Sequence, residues 1–240
     1  MFKSIAAAAT VMAMAGAAHA YTVDFSSGPE GWSANGNDTI INVGGANGDV
    51  MHQYQFDGFF QEIRNSTNPL VTGDYTQKGT SIDISVDIDV HTLRSTFNPG
   101  QSYVRELVIE LRDYDNPGTT YPWASVWAMS SELMNPAVDG FVTHSWTIDT
   151  TATDLPAGWG GTGAEDPNTF EPILPAGTSW QEVLANVDEI VFSTAVPGFF
   201  YGFTEWEFDV DNIVFDAVPA PGAAGLLAVG GMTMTRRRRR

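Results

Sequence analysis

"TSIDISVDIDVHTL", residues 80–93, places Ile82, Ile84, Val86, Ile88 and Val90 on one parity and Asp83, Ser85, Asp87, Asp89 and His91 on the other. A strand sends alternate side chains to opposite faces, so this order separates an apolar face from an acidic one. A helix would scatter the same residues around its circumference. The stretch therefore reads as a half-buried strand with its acids in solvent.

Moving outward, the same period recurs. Leu107, Ile109 and Leu111 alternate in "RELVIELRDY", which stops at Asp115-Asn116-Pro117-Gly118, a turn signal. "WASVWAM", "FVTHSWTID" and "DEIVFSTAV" are further strand candidates, and Val50, His52, Tyr54 and Phe56 alternate in "DVMHQYQFD". Short strands separated by Gly, Pro, Asn and Asp predict an antiparallel β-sandwich. One segment departs from this period. Ser179 and Glu182 have the spacing of a capping box, and Trp180, Val183, Leu184 and Val187 follow at helical spacing. One short helix is expected from Trp180 to Val187. Residues 154–177, with four prolines, read as a long loop, and no internal repeat is visible.

The charge is lopsided. Lys3 and the five terminal arginines are six of the 11 basic residues, and neither terminal segment holds an acid. Residues 21–217 thus carry 5 basic against 29 acidic groups, a net charge of -24. Such a surface repels phosphate backbones, which argues against nucleic-acid binding, and it disfavours anionic lipid. It suits solvation or divalent cations. With no cysteine, disulfides and thiolate chemistry are excluded. Roughly 200 residues can bury about 70% of the unfolded chain's surface, enough for one domain held by its core alone.

Both ends read as targeting segments. Residues 1–20 combine Lys3, an apolar run from Ile5 to Ala17 and an Ala18-His19-Ala20 cleavage site, the plan of a signal peptide. The mature domain is then 21–217, outside the cytoplasm. Residues 218–240 open with Val218-Pro219-Ala220-Pro221, continue as an apolar run and end in Arg236, Arg237, Arg238, Arg239 and Arg240. This tail resembles the PEP-CTERM sorting signal of bacteria that make exopolysaccharide, with Val-Pro-Ala-Pro in place of Pro-Glu-Pro. The resemblance implies an exosortase-type membrane transpeptidase as partner, transient membrane insertion of the tail, and residence at the cell surface or in the extracellular matrix. Physically, Pro219 to Thr235 is 17 residues, about 25 Å as a helix and short of a ~30 Å hydrocarbon core. Four glycines weaken it further. The arginines would stay on the cytoplasmic side and stop transfer. A plain C-terminal anchor is the rival reading.

The domain itself resembles laminin-B-like (laminin IV) domains. "DFSSGPEGW" is similar to their opening, "NPLVTGDYTQKGTSIDISVDI" to a central strand, and "WQEVLANVDEIVF" with "FDVDNIVF" to the last helix and strands. This implies a jelly-roll, galactose-binding-like sandwich, with the single helix near the C-terminal strands.

Several constellations are candidates for chemistry. In "TEWEFDVDNIVF", Glu205, Glu207, Asp209 and Asp211 share one strand face, after which Ile213 and Phe215 take the opposite parity. The phase slip near Asp211-Asn212 predicts a bulge. Sandwich modules often hold one structural calcium between first and last strands. Asp24 and Asp211 are the expected ligands, helped by backbone carbonyls. Glycosidase chemistry needs two carboxyls about 5–9.5 Å apart. Glu205 and Glu207, about 7 Å apart along a strand, do not forbid it. His52, His91 and His144 are far apart in sequence, and no HExxH, GxSxG or P-loop occurs. Most of the seven tryptophans are expected in the core. Trp159, in the Gly/Pro loop, is expected with Phe199, Phe200 and Tyr201 as a stacking platform for sugar rings. The sequence therefore points to a non-catalytic exported sandwich that associates with extracellular polysaccharide through loops at one end. A secreted glycoside hydrolase or lyase using the 205–211 acids is the alternative.

Overall fold

The computed structural model describes residues 20–42, 48–118, 121–199 and 202–219. Its strands are β1 (Tyr21–Val23), β2 (Ser33–Ala34), β3 (Asn37–Asn42), β4 (Asp49–Gly58), β5 (Glu62–Asn65), β6 (Ser81–Ser95) and β7 (Arg105–Asp113). They continue with β8 (Ala124–Met134), β9 (Val142–Asp149), β10 (Trp159–Thr162), β11 (Ala164–Glu165), β12 (Pro172–Ile173), β13 (Glu189–Ser193) and β14 (Thr204–Val218). One sheet runs β3-β4-β14-β6-β9, with β1 pairing the far half of β14; the other runs β10-β8-β7-β13-β5-β2. The strand pairings are antiparallel, and the two sheets face each other across one core: the predicted β-sandwich.

The alternation in residues 80–93 appears directly as burial. Ile82, Ile84, Val86, Ile88 and Val90 are buried in the core, while Asp83 and His91 are exposed on the outer face. From β14, Trp206, Phe208 and Val210 enter the same core. After a register shift between Asp211 and Val214, Ile213 and Phe215 take over. Asn212 sits at the shift with φ 46°, the left-handed bulge that the phase slip predicts. The sheets are joined by rings: Phe192 of β13 stacks between Trp32 (5.4 Å) and Trp146 of β9 (5.5 Å).

Helix α1 (Trp180–Ala185) begins at Ser179, whose hydroxyl accepts from the Glu182 N–H while the Glu182 carboxylate accepts from the Ser179 N–H. Its last residue is Ala185, two residues short of expectation, with Asn186 as the C-cap. Val187 instead bridges the backbone of Gly73. Trp180, Val183 and Leu184 face the core.

Two expectations change. Residues 154–177 are not a structureless loop: β10 adds an edge to β8, and β11 pairs with β12. Gly160 is essential to that edge, because a Cβ there would lie 2.4 Å from the Trp127 ring. In β4 the strand is where the alternation places it, but His52, Tyr54 and Phe56 turn outward. Met51 and Gln53 point inward, and Gln53 accepts a hydrogen bond from the Gln61 amide at 3.0 Å. A buried amide pair replaces apolar residues there, so the apolar parity is the wrong guide.

Val218 is the last residue of β14. Its carbonyl accepts from the Thr80 N–H at 2.8 Å, and Pro219 follows the strand. Residues 1–19, Pro221 and Arg236–Arg240 lie outside the described residues. Among the described residues no helix is long and apolar enough to cross a membrane.

Candidate functional site

On the outer face of the second sheet, residues of β5, β7, β13 and the approach to β8 converge. Leu107, Ile109 and Leu111 take the core side of β7, so strand alternation sends Glu110 and Arg112 to the other face. Arg112 lies opposite Glu189 of β13 and Ser125 of β8. Its guanidinium donates to Glu110 (Nε, 2.8 Å), Glu189 (3.0 Å) and Glu62 (2.6 Å), with all four side chains largely withdrawn from water. Burial works against the Arg112 charge, but the carboxylates of Glu110 and Glu62 outweigh it and hold the guanidinium above its ordinary value.

Aromatic rings surround this charged floor. The Trp123 indole lies 4.3 Å from the Arg112 guanidinium carbon and donates Nε1–H to Glu110 at 3.1 Å; Ser125 donates to the same oxygen at 2.6 Å. Tyr114 meets Trp123 edge-on at 5.6 Å and donates its hydroxyl to Glu189 at 2.8 Å. Burial, then Glu189, push the Tyr114 phenol up to about 12, so it stays a donor at any ordinary pH. Phe60, Tyr121, Pro197, Gly198 and Phe199 complete the walls of a cleft of about 290 Å³. The three carboxylates of the floor are locked to Arg112, and Phe199 and Tyr114 keep open ring surface, 55% and 40% exposed. The cleft offers flat apolar faces above a few fixed polar groups, the build of a small-molecule or sugar site.

The residues singled out from sequence are distributed differently. Phe199 stands at this cleft, while Phe200 and Tyr201 lie outside the described residues. Trp159 does not join it. It opens β10, half-buried, in a strand and not a loop, with its ring edge-on to Trp180 of α1 at 4.9 Å. Phe203 of the same Gly/Phe segment packs against Phe59 (4.6 Å) and Phe97 (5.4 Å) at the tip of the sandwich.

The acids of β14 share one face, on the other sheet. Glu205 accepts from Arg94 at 2.7 Å and Glu207 from Thr92 at 3.1 Å. Asp209 is held between His52 and His91. Asp211 is fully buried, and its carboxyl accepts from the Asn212 N–H and amide. Burial first, then the charges of Asp87 and Asp24, push its pKa up to about 6. Asp87 in turn accepts from Asn212 (3.0 Å) and Thr143 (2.6 Å). Asp24 is exposed and accepts from the Ser26 N–H and hydroxyl. Asp24 and Asp211 thus come within electrostatic reach, with Asp87 as a third carboxylate absent from the expected pair. The group of three side chains whose ligand atoms converge within 4.8 Å, among the described residues, is instead His52, His91 and Asp209.

No family model and no curated protein sequence matches the chain. Solved structures do match in shape. The CBM22-1–GH10 modules of Clostridium thermocellum endo-1,4-β-D-xylanase 10B, solved with xylohexaose, align at 10% identity and TM-score 0.41, over 78% of this chain and 26% of that one. An exo-β-agarase aligns at 12% identity and TM-score 0.47, over 82% and 25%. The family 11 carbohydrate-binding module of the Clostridium thermocellum cellulase Lic26A-Cel5E aligns at 15% identity and TM-score 0.39, over 90% and 98%. The chain spans about a quarter of the xylanase and agarase chains. At these identities no residue role passes from those proteins to this one.

Proposed function

We propose that the protein binds a neutral polysaccharide, without cleaving it, in the cleft walled by Phe60, Tyr114, Tyr121, Trp123 and Phe199. The observation that carries this reading is the cleft itself: open aromatic faces over a floor whose carboxylates are all engaged by Arg112. Pyranose rings stack their C–H faces on such side chains, and the fixed floor loses no entropy on binding. With a net charge of -24 over residues 21–217, anionic polymers are repelled and neutral ones are not. Binding is favoured over hydrolysis because Arg94 holds Glu205, two histidines hold Asp209, and Asp211 is buried.

The remaining parts fit an exported protein. The signal segment sends it out, and the tail after β14 acts as the exosortase sorting signal that leaves it at the surface or in the matrix. One calcium ion bound by Asp24, Asp87 and Asp211 would supply the cation that the buried Asp211 carboxyl lacks among its hydrogen-bond partners.

Affinity electrophoresis of the full chain through gels containing neutral or anionic polysaccharides tests the reading. Retardation in a neutral polymer, weakened at least tenfold in a Tyr121→Ala/Phe199→Ala variant, is expected. Migration unaffected by every polymer would overturn it.

A further inference from the structure

We propose that His52, His91 and Asp209 form a binding site for one divalent transition-metal ion of the zinc class, on the outer face of the first sheet and distinct from the carboxylate group around Asp211.

Three adjacent strands build it. Asp209 lies on central β14, directly opposite His52 of β4. On the other side, the β14–β6 register shifts between Glu207 and Phe208: Glu207 pairs with Thr92 and Phe208 with Val90, so His91 is an extra residue. That bulge turns the His91 ring toward Asp209. His52 Nδ1 lies 2.7 Å from one Asp209 oxygen and His91 Nε2 lies 2.9 Å from the other, with the imidazoles 6.3 Å apart.

An ion about 2.0–2.2 Å from each donor needs donors roughly 3.3–3.5 Å apart. Those spacings are reached by small rotations of the two rings, while the sheet holds all three backbones at fixed positions. Two imidazoles and one carboxylate suit zinc, cobalt or nickel; calcium takes oxygens. The Asp209 side chain is 8% exposed, whereas His52 and His91 are 25% and 39% exposed, which leaves an open side for the ion and a water. Glu207, fixed by the Thr92 hydroxyl, has an oxygen 4.0 Å from His52 Nε2. It can accept from that ring nitrogen once Nδ1 is committed to metal, the outer support that metal-bound histidines ordinarily have. The acidic domain draws dications to this face.

The test uses the full chain, untagged and freed of metal with chelator. Calorimetry with zinc and visible spectroscopy with cobalt(II) are expected to show one equivalent bound. His52→Ala and His91→Ala should each weaken zinc at least tenfold, and the double variant should abolish the cobalt d–d bands, with the far-ultraviolet dichroism unchanged. Asp209→Asn, isosteric with the native side chain, should also weaken zinc. Absence of saturable zinc binding, or undiminished binding in a folded double variant, overturns the proposal. So does calcium competing as well as zinc.

Discussion

The Trp123 indole and the Arg112 guanidinium are stacked 4.3 Å apart, and both are tied to Glu110. Ring, cation and carboxylate thus form one unit, and the cleft floor is rigid because each member fixes the other two. Replacing Arg112 leaves Glu62, Glu110 and Glu189 facing one another without a counter-charge. Arg112→Ala should cost about 3–5 kcal/mol, the usual scale for breaking a buried ion pair from one side. Arg112→Lys should recover only part of this, since a compact ammonium lacks the planar fork that spans the three carboxylates and stacks on Trp123. Urea denaturation of the variants measures both.

Gly160→Ala should destabilise by roughly 1–3 kcal/mol, the scale of overpacking. The added carbon would lie 2.4 Å from the Trp127 ring, and β10 must leave β8 or the ring must turn out. Thermal unfolding and Trp127 fluorescence report the two outcomes.

Two buried groups give opposite pH dependences. His144 is fully buried, and burial pushes its pKa down from 6.5 to about 4. Its contribution to stability is complete above pH 6.5 and is lost as pH falls through about 4. Asp211 is raised from 3.8 to about 6. Its contribution is present below pH 3.8 and is lost as pH rises through about 6. His144→Leu should remove the first slope and Asp211→Asn the second, in denaturant midpoints measured from pH 3.5 to 7.

Calcium should raise the melting temperature by roughly 5–10 °C at a hundredfold excess over its dissociation constant. Asp211→Asn should remove that rise, while His52→Ala should leave it intact. Scanning calorimetry with calcium and with chelator checks this.

What was legible in the sequence was local. The β6 alternation, the Ser179–Glu182 box and the phase slip at Asn212 are each written within a few residues and survive in the fold. The inner face of β4 was hidden because Gln53 is buried by pairing with another amide, which no hydropathy period records. β10, β11 and β12 have four residues or fewer, too short to show alternation. The cleft joins Glu62, Arg112, Trp123, Glu189 and Phe199, which become neighbours only through strand order. Its one local clue was Glu110 and Arg112 on the polar parity of β7. His52, His91 and Asp209 needed the register of three strands and a bulge, which spacing along the chain does not show.

Isothermal titration of the full chain with an oligosaccharide of the neutral polymer that retards it most tests the central claim directly. Saturable one-site binding is predicted, with enhanced or quenched emission from Trp123 and at least a tenfold loss in Tyr121→Ala/Phe199→Ala. Binding of equal strength in that variant, folded as judged by circular dichroism, would contradict the cleft as the site.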